Sequence, residues 1–348
     1  MRSSVSTSDF TPLDYSLVDV SAYTFKFTNY QRTLNYFTSQ GCPYSCGFCA
    51  VASVYKRQWF HKSNNTVIND LTYFKKIAHN DSVVFWDENF FIDKTKTLSL
   101  CKEMISAGLN LKWDAWVHAA HFVQHYTVQD IELMYNAGLR RLYAGAESGN
   151  EEMLKLIDKR QNTKDLFDFL NLIKPFDIIP VFSMILCFPT NPRKDINDSL
   201  ELLRKAKLCH KKLMVIFSYY TPYPGTGLYN LAIENGFCEP SSLEAWATHC
   251  LSNFNSPWLV KGKLKRIDYF DKFYMMFANP GFYKWVPPSV RWLVYPLNKL
   301  MYPLMYFRFR FNAFGFPFEA FLFIQMLKFI NLFANRKFKT GNNRRELN

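Results

Sequence analysis

Short apolar runs alternate with longer stretches of helical spacing through the first 220 residues of the chain. Residues 32–38 are rich in β-branched and aromatic side chains and stop at Gly41 and Pro43, which predicts a strand. Val67, Leu71, Phe74 and Ile77 then recur near helical spacing and predict a helix over 66–80, capped by Asn65 or Thr66. Residues 82–86 read as a buried strand ending at Asp87-Glu88-Asn89. Asp93 caps a helix that runs to Gly108, a natural stop. Further strands are predicted at 111–117, 141–144, 178–186 and 213–218. Helices are predicted at 127–137, 151–174 with a break near Asn162, and 195–210.

Six strands alternating with helices imply an α/β fold with a parallel sheet and right-handed crossovers, closing into a partial (β/α)6 barrel. Residues 1–31, with Tyr15, Tyr23, Phe25 and Phe27 in no clear period, are expected to form a lead-in lying across the barrel. The barrel is expected over 32–236, and a mainly helical, basic, aromatic-rich extension over 237–348. In such barrels the chemistry sits where strands end and helices begin. Polar clusters fall at those ends: Cys42, Cys46 and Cys49, then Asp87-Glu88-Asn89, then Glu147-Ser148, then residues 221–226.

The cysteines at one strand end change the picture most. They follow a C-x3-C-x2-C spacing within eight residues. Three thiolates on a short loop can grip three irons of a [4Fe–4S] cube, and with no fourth cysteine close by the last iron stays open to a small molecule. Zinc is the competing reading, with His61 as a fourth ligand. The other five of the eight cysteines (Cys101, Cys187, Cys209, Cys238, Cys250) are scattered, as buried thiols of a reducing compartment are. Met1-Arg2-Ser3-Ser4 leads into no apolar segment, so no secretory signal is expected. A barrel behind the loop favours the cluster over a zinc knuckle.

Taken in order, Gly41-Cys42-Pro43-Tyr44-Ser45-Cys46, Phe85-Trp86-Asp87-Glu88-Asn89-Phe90, Gly145-Ala146-Glu147-Ser148-Gly149 and Pro222-Tyr223-Pro224-Gly225-Thr226-Gly227-Leu228-Tyr229 resemble motifs of one family. It is the radical S-adenosylmethionine (SAM) superfamily, closest to the radical SAM domain of proteins that also carry a cobalamin-binding domain. The resemblance covers residues 12–236. It implies a [4Fe–4S] cluster on Cys42, Cys46 and Cys49, with the amine and carboxylate of SAM on the open iron. Phe48 resembles the aromatic position beside adenine. Asp87, Glu88 and Asn89 would meet the SAM ammonium or shape its pocket, and Glu147, with Ser148, would meet the ribose.

The implied reaction is reductive cleavage of SAM to methionine and a 5′-deoxyadenosyl radical, fed by an electron donor such as flavodoxin or ferredoxin. Three departures stand out. Cys187-Phe188-Pro189-Thr190-Asn191-Pro192 replaces the usual Gly-x-Pro-Gly-Glu-Thr and lacks its acid. His118 stands where arginine is common. The residues before the barrel are too few for a cobalamin domain, so cobalamin for a methyl-transfer or ring-forming reaction would come from another subunit.

Charge sets the C-terminal extension apart. Of a net +13, residues 261–348 carry +12, from 16 Lys and Arg against 4 Asp and Glu, together with 23 of the 62 aromatic residues. Charges and prolines interrupt each candidate span, so no clean membrane crossing is read there. Cations beside Trp and Phe predict segments lying in a membrane interface, on the inner face of the membrane of a cytoplasmic protein. A helical cap on the barrel, or nucleic acid, are the alternatives, and abundant Phe favours lipid over nucleic acid. The non-enzyme alternative is a metal-stabilised scaffold that the tail holds at the membrane.

Overall fold

The computed structural model describes residues 5–6, 13–247, 249, 257–258, 266–284, 286, 288–323 and 325. Cys250, Trp285 and Phe338, with most of the first twelve residues, lie outside the described residues.

Ten strands are described: β1 (Val5–Ser6), β2 (Phe25–Phe27), β3 (Tyr30–Tyr36), β4 (Ser39–Gly41), β5 (Trp59–His61), β6 (Ser82–Phe85), β7 (Lys112–Val117), β8 (Leu139–Glu147), β9 (Ile179–Leu186) and β10 (Met214–Tyr219). The main sheet runs in the order β10-β9-β8-β7-β6-β3-β2. From β3 to β10 every pairing is parallel, which gives the six strands of the expected partial barrel. Two elements correct the sequence reading. Part of the lead-in, β2, pairs antiparallel with β3 and adds a seventh strand. Strands β4 and β5 form an antiparallel pair, extended by β1, in a separate three-stranded sheet.

Helices follow their caps. Ser63, and neither Asn65 nor Thr66, caps Asn64–Ala78, because its side chain accepts from the Thr66 amide. Asp93 caps Lys94–Ser106 as expected. The break near Asn162 is a second cap: Glu151–Leu156 ends, and Asn162 with Asp165 forms a capping box at the start of Thr163–Ile173. Asn191 caps Pro192–Cys209, with Pro192 in the first turn, where its missing N–H costs nothing. Helix Ala119–His125 has no counterpart in the periodicity.

The helices bury Leu71, Phe74, Leu100, Phe122, Phe169 and Leu203 against the outward side chains of the strands in one large core. The extension joins that core through Phe270, Phe273, Met305 and Phe309. The Arg204 guanidinium donates to the Phe309 carbonyl at 2.7 Å, and Asn279 Nδ2 to the Lys212 carbonyl at 3.3 Å. The described part of the extension thus packs on the β10 side of the barrel as a helical layer.

Candidate active site at the C-terminal end of the barrel

The chain leaves β3, turns through Thr38 into β4, and carries Cys42, Cys46 and Cys49 on the following loop. Cys49 occupies the cap position of helix Ala50–Val54. At Gly41 φ is +82°, and a Cβ there would lie 2.3 Å from the Gln58 carbonyl oxygen, so only glycine fits ahead of Cys42.

Two distant segments hold the loop. The Gly47 amide donates to the Ile157 carbonyl, and the Gly47 carbonyl accepts from the Leu228 amide, both at 2.8 Å. Ser45 hydrogen-bonds Asp158 and accepts from Arg160 Nη2 at 3.2 Å. Tyr44 stacks on His118, with centroids 4.3 Å apart and planes 9° apart. His118 Nε2 lies 2.8 Å from the Lys159 carbonyl and donates to it as the Nε2–H tautomer. Each of the four residues 157–160 therefore contacts the loop directly or through one side chain.

The three thiols are half-buried and form no disulfide. Burial pushes Cys42 up to about 12, and raises Cys46 and Cys49, with neighbouring thiols adding to the rise at Cys42 and Cys46. Lys159 opposes the rise at all three. Its ammonium is buried and donates to Glu147 Oε1 at 2.8 Å. Burial alone would depress this lysine, but the Glu147 carboxylate and the nearby thiols hold it at about 12. Glu147 ends β8 in the left-handed region, φ +61°, at a register shift against β9. A Cβ on Gly145 would fall 2.4 Å from Glu147 Oε1 and 2.6 Å from Lys159 Nζ, so that glycine makes room for the ion pair.

The other expected site residues are placed as follows. Glu88 Oε2 accepts from the Gly41 amide at 3.1 Å, beside the loop. Asp87 is fully buried and accepts from the Thr38 amide at 2.8 Å, the Thr38 hydroxyl, and the Ser39 hydroxyl at 2.6 Å. Asn89 Oδ1 accepts from the Phe91 amide at 3.3 Å, while its buried Nδ2 finds no partner. Ser148 hydrogen-bonds Asp195 and accepts from the Asn150 amide at 2.9 Å, tying the end of β8 to helix Pro192–Cys209. Phe48 packs edge-on to Phe188, centroids 6.4 Å apart, in a second apolar cluster with Leu154, Tyr220 and Leu228.

Lys159 and Tyr44 were absent from the expected set. His118 is buried, caps helix Ala119–His125, and is pushed down to about 3 by burial and by Lys159, so it stays neutral. His61 is on β5, opposite Ser39, in a tilted ring contact with Trp59.

Among the described residues no three His, Cys, Asp or Glu side chains are gathered as ligands of a single metal ion. A tetrahedral ion needs its sulfurs within about 4 Å of one another. A cube places each thiolate on a separate iron and makes no such demand. Three free thiols on one clamped loop, with a buried cation facing them, fit the cluster as a donor set.

The description "Radical SAM superfamily" matches residues 36–203. An uncharacterized methyltransferase of Pyrococcus horikoshii is 26% identical over 198 residues, which are 57% of this chain and 41% of that protein. The bacteriochlorophyllide d C-12(1)-methyltransferase of Chlorobaculum tepidum is 24% identical over 220 residues, 62% of this chain and 45% of its own. Among solved structures, the cobalamin-dependent S-adenosylmethionine radical enzyme OxsB with aqua-cobalamin bound aligns with a TM-score of 0.55 at 14% identity, covering 84% of this chain and 49% of that one. That likeness is one of fold. The chain spans less than half the length of these two curated relatives.

Proposed function

Residues 36–203 belong to the radical SAM superfamily, and from that premise we propose that the protein cleaves SAM reductively on a [4Fe–4S] cluster held by Cys42, Cys46 and Cys49 to modify a hydrophobic or lipid-linked substrate. The observation that carries this reading is the cysteine loop itself, clamped at the C-terminal end of six parallel strands beside a buried Lys159–Glu147 pair. When bound, the cluster and SAM supply one-electron chemistry and a 5′-deoxyadenosyl radical. The chain's own residues bind, orient and exclude water. Asp87 braces the turn into the loop, and Glu88 fixes the Gly41 amide. Gly145 and Gly227 let backbone and ion pair approach closely, and Phe48 closes the β9–β10 side.

Enzymes of this class draw their electron from a reductant such as flavodoxin or ferredoxin. The methyltransferase relatives favour a second reading, methyl transfer, for which cobalamin would come from another subunit. The described residues form one seven-stranded and one three-stranded sheet, and neither is a second doubly wound domain for that group. Anaerobic reconstitution tests the main reading. It should give about four irons and four sulfides per chain, and with dithionite and SAM should release 5′-deoxyadenosine. Stoichiometric zinc without iron, in protein purified without air, would sink it.

The finer reading places the protein on an anionic membrane surface. No described helix is long and apolar enough to cross a membrane. Helix Pro288–Phe311 nonetheless turns Trp292, Tyr295, Leu300, Leu304, Phe307 and Phe311 to solvent, and residues 288–311 contain no acidic residue. Lys299 and Arg310 are exposed on the same helix. Each such cation near anionic lipid is worth about 1 kcal/mol, and that share fades with salt. The protein should co-sediment with anionic vesicles at low salt and be only partly released at high salt. Changing Trp292, Leu300 and Phe311 together to Ser should abolish the salt-resistant fraction. Deleting the helix is the poorer test, because Met305 and Phe309 belong to the shared core. Wild-type protein left in the supernatant at low salt would retire the membrane and leave a barrel cap.

A further inference from the structure

Residues 157–160 form a clamp whose backbone and side chains reach Gly47, Ser45 and, through His118, Tyr44. Asp158 and Arg160 both have positive φ, +48° and +51°, so the segment is bent twice between its two helices. The double bend carries Lys159 inward while its neighbours face the loop surface. The result is a buried ammonium with Glu147 as its ion-pair partner, directed at the cysteine loop. A buried cation is costly unless its charge is used. Glu147 answers it here, and with a cluster bound the cysteine thiolates would add negative charge beside it.

Building on the cluster reading above, we propose that Lys159 is a positioning residue that sets the cluster's reduction potential, its charge favouring the reduced, more negative state. Glu147 acts in the opposite sense and holds the ammonium in place. The buried site makes these charges felt more strongly than at a surface, where water and salt would screen them. Two contacts of 2.8 Å fix the arrangement, Lys159 Nζ to Glu147 Oε1 and His118 Nε2 to the Lys159 carbonyl.

The test is an anaerobic redox titration of the reconstituted full-length chain without SAM, read by electron paramagnetic resonance of the reduced cluster. Lys159→Met should lower the midpoint by at least a tenfold change in the oxidised-to-reduced ratio, about 59 mV for one electron. Lys159→Arg should stay near wild type, and Glu147→Gln should move the midpoint upward. Opposite signs for the two partners separate an electrostatic role from a merely structural one, which would perturb both variants alike. A Lys159→Met midpoint equal to wild type at full iron content overturns the proposal, as do equal shifts of one sign in Lys159→Met and Glu147→Gln. Loss of iron uptake in both Lys159→Met and Lys159→Arg also overturns it, since a retained charge would then not suffice. Wild-type protein that takes up no cluster removes the cluster reading together with this inference.

Discussion

Replacing Cys42, Cys46 and Cys49 together by alanine should reduce the iron of reconstituted protein from about four per chain to none, and remove its visible absorbance. Alanine offers no donor, and no other cysteine side chain is on the loop. The fold should survive, because the loop is held by Gly47, Ser45 and Tyr44 rather than by the thiols. The stringent control is Cys187→Ala. Cys187 directly follows β9 at the same end of the barrel and is buried, yet that variant should load fully. Iron retained by the triple variant, or lost from Cys187→Ala, would move the site off the loop.

The second large effect belongs to Asp87. Its carboxylate accepts one amide and two hydroxyl bonds from Thr38 and Ser39 where β3 passes into β4. Alanine would strand those donors, and buried unsatisfied groups cost about 1–3 kcal/mol each. Asp87→Ala should therefore lose about 3 kcal/mol or more, roughly 4 °C or more in Tm at about 2.1 cal/mol/K per residue over 348 residues. It should also lose cluster retention, since the same turn leads to Cys42.

The pH dependence has a definite sign. Burial raises Asp87 to about 6 against the hydrogen bonds from Ser39 and Thr38, which pull it down. A carboxyl whose folded value lies above its ordinary value near 3.8 holds its proton more tightly when folded. Its contribution to stability accordingly falls as pH rises from about 4 to about 6. Asp87→Asn, which keeps an acceptor and cannot ionise, should flatten that decline in urea unfolding. A melting temperature for Asp87→Ala within about 1 °C of wild type, on the order of 1 kcal/mol or less, would show that the turn does not depend on this carboxylate.

The barrel was legible because its strands are apolar runs framed by Gly, Asn and Asp, and because parallel strands buried on both faces admit little else. Asp93 declared its helix through side-chain capping, a local signal, and Asn162 was legible only as a break that the structure resolves into a second cap. The cysteine loop was legible from its spacing. Other parts depend on contacts between residues far apart in the chain. Lys159 reads as one more lysine between two helices until β8 brings Glu147 beside it. The three-stranded sheet joins strands of two or three residues, too short to show a period. Asp87 reads as a polar strand-end residue like Glu88, and only the packed turn separates the brace from its neighbour. The exposed face of helix Pro288–Phe311 was visible as aromatic content, but not as a face, because aromatics occupy its buried side as well.

The two backbone bonds of Gly47 also set an order of events during synthesis. The cysteines leave the ribosome early, but Gly47 gains its first long-range backbone bond only when Ile157 is available and its second only with Leu228. Until then the loop lacks both of these bonds, and its three thiols are expected to be more open to oxidation or to the wrong metal. If the loop holds a cluster, loading is expected to follow the synthesis of residue 228, so thiols that appear early in the chain gain these two supports late.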